Sequence, residues 1–407
     1  MSESTRVHRA DIDLLRVFAV LLLFPFHTAK VYDPEPWYHV WSRDLLPGLQ
    51  YFTGFVHLWH MPLLFLLAGW SAVASLRSRT LGAFLRERRR RLLVPLLFGV
   101  VFLCPIIKYV ELRSGISIGL EGLGAAAWLQ QAHGTLQAHP LAVAPPFDES
   151  FLTFLPTFFT PARVTWSHLW FVAYLLVFSV AYAPLLGRLA RGGVALPHPG
   201  IVLWVPAILL ALSEMLLRPQ WPGVQTLISD WANVAKYSAY LFAGAILAAD
   251  PVLEARARAQ WAPAFVAGAG VSLLLPLLDS PTLLPAVGSV VAYGLPAVAG
   301  WCFVVGTLGL SARIARPGPW LAMLAAAAMP IYVLHQLGVV LAAWWIDPLP
   351  LSITARLVLI LLASVAAVLV FYLLVVRRVR WLAAALGSKK TRSSGRRSRA
   401  LAHADAR

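Results

Sequence analysis

Long apolar runs recur along this chain, and no other feature of the sequence restricts its fold as much. A helix needs about 20 predominantly apolar residues to cross a hydrocarbon core about 30 Å thick. Only helices and closed barrels satisfy every backbone hydrogen bond inside lipid. The chain is 59% hydrophobic and 13% charged, whereas soluble domains carry about 25% charged residues. The sequence therefore predicts an all-α integral membrane protein.

The apolar runs predict a bundle of about ten transmembrane helices. Each run is bounded by turn-forming or charged residues. The predicted spans are Leu14–Val31, Phe52–Leu76, Leu92–Val110, His168–Leu189, Ile201–Leu217, Trp231–Ala249, Trp261–Leu278, Ser289–Leu310, Trp320–Trp344 and Ile353–Val376.

Arginine-rich and acidic connections alternate between these spans. Arginines crowd positions 86–91 and the C-terminal segment, whereas Asp33, Asp279 and Asp347 lie in the alternate connections. Cytoplasmic connections of membrane proteins carry the excess of Lys and Arg, so we expect both termini in the cytoplasm. This placement accounts for the formal net charge of +16 without a nucleic-acid partner. The Ala-, Leu- and Arg-rich composition is typical of a high-GC bacterial host, so we expect the bacterial cytoplasmic membrane.

The chain divides into three parts. Residues 1–12 form a cytoplasmic N-terminus, residues 13–376 the membrane domain, and residues 377–407 a basic cytoplasmic tail that we expect to be disordered. A long outer segment, 111–167, interrupts the membrane domain, and its phenylalanines predict packing on the outer mouth of the bundle. The two cysteines lie inside apolar runs, which predicts neither a disulfide nor a zinc site.

Ionisable side chains within the spans are the strongest functional signal, because they are costly in lipid. Arg16 and His27 are eleven residues apart on the first span, so they share one helix face with a rise of about 16 Å. Asp13 precedes Arg16 by one turn, which predicts a structural ion pair. The alternative is an ordinary cytoplasmic anchor for Arg16 and a buried hydrogen-bonded histidine for His27.

Three more histidines, His60, His168 and His335, lie near the outer ends of other spans. Each alone is compatible with a structural role. Together with His27 they occupy one depth band on four helices, which predicts a polar cavity in the outer half of the bundle. The spacing of His57 and His60 is compatible with a metal pair, but the third ligand that such a site needs is not evident, so we predict no metal site.

A second cluster lies on the cytoplasmic side, where Arg88 and Arg91 share a helix face just before the third span. Membrane topology and lipid headgroups explain most arginines of this segment. An anion clamp is the sharper hypothesis, because Arg binds phosphate in a bidentate manner. A phosphate-bearing ligand would bind Arg88 and Arg91 together with Arg16.

Five motifs in order resemble the acyltransferase 3 family, most closely its branch of glucan-modifying, succinyltransferase-like proteins (glucan biosynthesis protein C-like). The motifs are Asp13-Leu-Leu-Arg16 followed after ten residues by His27; His60-Met-Pro-Leu-Leu-Phe-Leu-Leu-Ala-Gly69; Phe84 to Pro95 with Arg88 and Arg91; His168-Leu-Trp-Phe171; and Ile331-Tyr-Val-Leu-His335-Gln336. Two segments, Val94-Pro95 and Ala68-Gly69-Trp70, depart from the pattern common in the family, but neither departure removes a chemical group.

The resemblance implies a ten-helix fold and an acyltransferase that transfers groups other than amino-acyl groups. Cytoplasmic acyl-CoA would be the co-substrate, with no tightly bound cofactor, and a carbohydrate or glycoconjugate hydroxyl outside the membrane would accept an acetyl or succinyl group. Arg16, Arg88 and Arg91 would bind CoA. His27 would act as general base or form an acyl-histidine, and His60, His168 and His335 would complete the catalytic set.

Two other functions are compatible with the same residues. A transporter or exporter of a sugar or lipid would also need ionisable groups that face the bundle interior, although the chain lacks the internal repeat typical of such proteins. A non-catalytic membrane scaffold or receptor is the second alternative, and it predicts no effect of Arg16→Ala or Arg88→Ala on the binding of a CoA analogue.

Overall fold

A computed structural model describes residues 9–35, 38–117, 141–142, 147–160, 163–192, 201–221, 223, 225–228, 230–278, 288 and 290–388. Within these residues the structure is a helical bundle with one two-stranded antiparallel ladder, in which β1 (Ile116–Ser117) pairs with β2 (Leu141–Ala142). The helices are α1 (Ala10–Lys30), α2 (Leu49–Leu76), α3 (Leu81–Arg113), α4 (Phe151–Phe158), α5 (Trp170–Ala181), α6 (Ala183–Arg191), α7 (Ile201–Leu217), α8 (Trp231–Ala249), α9 (Pro251–Ala259), α10 (Trp261–Leu278), α11 (Leu295–Ile314), α12 (Pro319–Ile346), α13 (Ile353–Val376) and α14 (Arg380–Ala385).

The predicted number of crossings is not confirmed. Each predicted span overlaps helix among the described residues, but six of the described helices are long and apolar enough to cross a membrane. The count becomes eight if two bent pairs, α5 with α6 and α8 with α9, are each one span. The apolar parts Trp204–Leu217 and Trp261–Leu275 are shorter. The chain is thus a multi-pass membrane protein with six to eight candidate spans.

Local chemistry explains the two bends. The pair α5 and α6 bends by 65°, and Pro184 at the start of α6 cannot donate the backbone hydrogen bond that would continue α5. The pair α8 and α9 bends by 114°. There Asp250 caps α9 by accepting from the backbone N–H groups of Val252 and Leu253, and Pro251 takes the first helical position.

The first helix lies inside the bundle. It packs against α2, α11, α12 and α13, and its residues Leu15, Ala19 and Leu23 are buried. By contrast, α13 lies at the edge, because only 22% of its apolar window is buried, against 67% for α12. The helix that carries Arg16 and His27 is therefore surrounded by protein over much of its length.

Two glycines let α2 and α8 approach closely. A Cβ atom on Gly69 would overlap the carbonyl oxygen of Leu241, and one on Gly244 would overlap that of Leu66. Small residues at such crossings are typical of membrane helices, because close backbone approach replaces the hydrophobic effect that lipid does not supply. The pair fixes α2, which carries His60, against the rest of the bundle.

Ion pairs hold the connection between α1 and α2 in position. Arg356 on α13 donates to Asp44 at 2.5 Å and to the Asp347 carboxylate at 3.1 Å. Lys30 donates to Asp33 at 2.9 Å, and the same carboxylate accepts from Thr53. The connection is thereby held at the histidine end of α1, and it brings Tyr38 and His39 to that end.

The outer segment and the tail contain described parts with defined contacts. In α4, Phe154 and Phe158 are buried, and Phe154 packs on Tyr109 of α3 with ring centroids 5.6 Å apart, whereas Phe159 is 48% exposed. The basic tail begins with the short helix α14, and Gly387 after it lies against α3. The expected disorder of residues 389–407 lies outside the described residues.

Candidate active site

Three of the predicted histidines come together at one end of the bundle. The rings of His27 on α1 and His335 on α12 have centroids 5.2 Å apart, and the His168 ring lies 5.2 Å from His335 on its other side. His168 and His335 are buried, and His27 is half-buried. The structure therefore brings together the rings of three of the four histidines for which the sequence predicts a shared cavity.

Backbone carbonyls determine the tautomers of two of these rings, since a carbonyl oxygen can only accept. Nε2 of His168 donates to the carbonyl of Val333 at 3.0 Å, and Nδ1 of His335 donates to that of Tyr332 at 2.5 Å. Nδ1 of His168 and Nε2 of His335 are therefore free lone pairs in the neutral rings. Both atoms are buried without a partner, as is Nδ1 of His27, so the cluster presents unsatisfied polar atoms that a substrate could satisfy.

Tyr38 completes this cluster, although sequence reasoning missed it. Its ring stacks on His27 with centroids 5.4 Å apart, and its hydroxyl is buried without a hydrogen-bond partner. Burial raises the pKa of Tyr38 above its ordinary value, because the phenolate would lose its hydration. The neutral phenol can donate one hydrogen bond into the cluster.

His60 makes a different contact from the three clustered histidines, although it is close enough to His27 and His335 to interact with them electrostatically. Its Nε2 donates to the carbonyl of Ala19 on α1 at 2.6 Å, and its ring neighbours Phe26 and Trp59 at 6.5 and 6.3 Å. This hydrogen bond links α2 to α1 and so helps to position the helix that carries His27. The predicted catalytic role of His60 has no such direct geometric support.

The predicted arginine site lies at the opposite end of α1. Arg16 donates to Asp13 at 2.6 Å, which is the expected ion pair, and to the hydroxyl of Ser71 at 3.1 Å. The charges of Arg16, Arg88 and Arg91 are close enough to repel one another. Such a cluster gains stability when an anion binds to it.

Arg88 differs from its neighbours on α3. Its guanidinium lies over the Phe84 ring at 4.7 Å, and its Nε is buried without a partner. Arg91 donates to Glu87 at 3.3 Å, whereas Arg89 and Arg90 are exposed. A π-helical turn over Arg89–Leu93 rotates these side chains relative to the first turns of α3, and such turns are frequent at functional sites.

A further polar cluster escaped the sequence reasoning. Asp230 accepts from the Tyr174 hydroxyl at 2.5 Å and from Asn233 at 2.8 Å, and Arg218 pairs with Glu214 at 2.8 Å. Burial raises the pKa of Asp230 to about 6. These residues join α5, α7 and α8, but Oδ1 of Asp230 is buried without a hydrogen-bond partner, so the network is not fully satisfied within the described residues.

A family model described as an acyltransferase domain matches residues 9–376 of this chain. The match covers both clusters and nearly all described helices. The chain belongs to the acyltransferase 3 family. No curated protein and no solved structure matches it, so the family model carries the assignment, and membership indicates a membrane acyltransferase.

The described part of this acyltransferase holds no group of three or more His, Cys, Asp or Glu side chains arranged to bind a metal ion. Cys104 and Cys302 are both buried and unpaired with each other.

Proposed function

We propose that this protein is a membrane-bound O-acyltransferase. It would take an acetyl or succinyl group from cytoplasmic acyl-CoA and transfer it to a hydroxyl of a carbohydrate or glycoconjugate on the other side of the bacterial cytoplasmic membrane. The branch resemblance supports a glucan as acceptor, and the family supports acyl transfer in general.

One observation carries the proposal: three buried or half-buried histidines with unpartnered nitrogen atoms meet at one end of α1, and Arg16, near its other end, clusters with Arg88 and Arg91 of α3. An acyl transfer needs a group that removes the proton of the acceptor hydroxyl as its oxygen attacks the thioester carbon. His27 is the candidate base, because it is the most accessible of the three rings and has a free Nδ1.

The tautomers of His168 and His335 give these two residues a task that differs from that of His27. Their free nitrogen atoms accept hydrogen bonds, so in the neutral state they orient a donor such as the acceptor hydroxyl or the amide N–H groups of the donor's arm. They cannot themselves donate to a developing oxyanion from those atoms. The Tyr38 hydroxyl is the candidate for that donation, since its ring stacks on His27 and the hydroxyl lacks a partner.

Arg16, Arg88 and Arg91 would bind the phosphate groups of CoA. Loss of one charge-assisted arginine–phosphate contact weakens binding by about 1.5–3 kcal/mol, or about 10- to 100-fold. Arg89 supplies a matched control, because it carries the same charge on the same helix but is exposed.

Binding of acyl-CoA to purified protein in detergent tests this assignment. We expect Arg16→Ala, Arg88→Ala and Arg91→Ala to raise the dissociation constant, and Arg89→Ala to leave it within about twofold of the original value. Equal weakening by all four variants would show a general effect of positive charge and would contradict the site. Transport of a sugar by proteoliposomes without acyl-CoA consumption would favour the exporter function.

A further inference from the structure

A second cluster of buried, hydrogen-bonded side chains lies next to the histidine cluster. Oγ of Ser167 is 2.9 Å from Nε2 of His39, and Nδ1 of His39 is 2.5 Å from Oε2 of Glu111. The three residues come from the connection after α1, the end of α3 and the turn before α5. All three are buried, with 5% or less of each residue exposed.

The charges around Glu111 determine the direction of these hydrogen bonds. Lys108 donates to Oε1 of Glu111 at 2.6 Å and is itself buried, so the carboxylate already has a cationic partner. A carboxylate oxygen accepts, so in the neutral ring Nδ1 of His39 donates its proton to Glu111. Its Nε2 is a lone pair in this state, and it accepts from the hydroxyl of Ser167. This order of nucleophile, base and orienting carboxylate is that of a serine–histidine–acid triad.

The backbone at Ser167 provides an independent sign of function. Its φ is +47°, a region that costs a non-glycine residue of order 1–3 kcal/mol and that occurs preferentially at active sites. The hydroxyl of Thr165 accepts from the Ser167 backbone N–H at 3.1 Å and holds this conformation. Ser167 opens the 3-10 turn that leads into α5, and a nucleophile on a strained turn before a helix is a recurrent arrangement in acyl transfer.

The triad adjoins the site of the proposed function. Ser167 precedes His168 in the chain, and the ring of Tyr38 lies between the rings of His27 and His39 at 5.4 and 5.6 Å. An acyl group brought to His27 is thus one aromatic ring away from the triad. The connection that carries His39 is held by the Arg356 and Lys30 ion pairs, so this placement is fixed by the fold.

We propose that Ser167 is a covalent acyl carrier, activated by His39 and Glu111, within the proposed acyl transfer. In the first step Oγ of Ser167 bonds to the thioester carbonyl carbon and the carbon–sulfur bond breaks. The Ser167 proton passes to Nε2 of His39 and then to the departing thiolate, which leaves as a thiol. In the second step the acceptor oxygen bonds to the same carbon and the bond to Oγ breaks. The proton that the acceptor loses to His27 returns to Oγ, which regenerates Ser167.

Labelling of the wild-type protein gives the first test, and it depends on no variant. A fluorophosphonate probe reacts with serines that a histidine activates, and peptide mapping locates the adduct. We expect the adduct on Ser167, with at least tenfold less labelling in His39→Ala. An unlabelled Ser167 in folded wild-type protein would overturn the proposal, and so would equal labelling of Ser167 in His39→Ala.

Acyl transfer from radiolabelled acetyl-CoA gives the second test. We expect Ser167→Ala to lower the rate of acyl transfer at least about 10³-fold and Glu111→Gln to lower it about 10²- to 10⁴-fold. Acid quenching should trap the acetyl group on Ser167 as an ester that hydroxylamine cleaves. Ser179 is the matched control, because it is also buried and belongs to the same helical segment, and Ser179→Ala should transfer at the original rate.

Different experimental results would contradict the serine carrier and the proposed acyltransferase function. Unchanged transfer by Ser167→Ala together with loss of transfer by His27→Ala would overturn the serine carrier and leave the histidine mechanism. Labelling of Ser167 by the probe in a wild-type protein that consumes no acetyl-CoA would show an activated serine and would contradict acetyl-CoA as donor. If Ser167→Ala does not fold, the adduct site in the wild-type protein still decides.

Discussion

The crossing of α2 and α8 yields a prediction whose magnitude follows from the structure. In Gly244→Ala the new Cβ would lie under 3.0 Å from the Leu66 carbonyl, a distance that Cβ atoms essentially never show. The obstructing atom is backbone, so no rotamer change removes the clash. The helices must separate by about 1.5 Å before the contact becomes favourable.

Separating the helices weakens the packing of α2 against α8, which is this close only because glycine has no Cβ atom. Overpacking of a tight interface costs about 1–3 kcal/mol, while replacing a helical glycine by alanine returns up to about 1 kcal/mol of helix propensity. We therefore expect Gly244→Ala to lower the free energy of unfolding by about 1–2 kcal/mol. Thermal unfolding in detergent, followed by size-exclusion chromatography, measures the change as a lower Tm.

Two further variants make this test specific. Gly54 lies on α2 with nothing within 4 Å of its Cβ position, so Gly54→Ala should leave Tm unchanged or raise it. Gly69 makes the reciprocal contact at the same crossing, so Gly69→Ala with Gly244→Ala should cost less than the two single effects added together. A Gly244→Ala protein as stable as Gly54→Ala, or strict additivity at the crossing, would refute the close packing described for α2 and α8.

Two other predictions concern the polar networks. Because burial raises the pKa of Asp230 to about 6, the folded state binds its proton more tightly than the unfolded state, and this contribution to stability is complete below about pH 4 and is lost as the pH rises through 6. Its size is about 1–3 kcal/mol, and Asp230→Asn should flatten the pH profile of Tm over that window; an unchanged profile would exclude Asp230 as the titrating group. Arg356→Ala should lower stability by about 1–2 kcal/mol and speed deuterium exchange at residues 38–46, whose position Arg356 holds through Asp44, whereas uniform exchange across the bundle would contradict this local role.

The sequence predicted the helices well, because each apolar run must be helical in lipid wherever it begins. It did not predict how many of them cross. The bends at Pro184 and after Asp250 depend on local caps and on packing against neighbours, and hydropathy averaged over a run does not detect them.

The site was predicted in part, for a similar reason. The cost of a polar group in lipid singled out His27, His168 and His335 and placed them at one depth, and the structure brings their rings together. His60 shares the predicted depth band, but depth alone does not reveal that its Nε2 donates to the carbonyl of Ala19, and its catalytic role stays a prediction. His39 lies in a connection, where polar residues carry no such cost, and its contacts with Glu111 and Ser167 join positions 72 and 128 residues away. Of these three residues, only Ser167 is adjacent in the sequence to a predicted site residue, His168.

The most direct test of the account is a single turnover of labelled acyl-CoA by His27→Ala at saturating donor. Since the proposed donor site of Arg16, Arg88 and Arg91 lies far from His27, towards the other end of α1, we expect this variant to bind acyl-CoA with its original affinity and to transfer the acyl group at least about 10²-fold more slowly. Transfer at the wild-type rate would contradict the assignment of the chemistry to the histidine cluster, and loss of donor binding would contradict the separation of the two sites along α1.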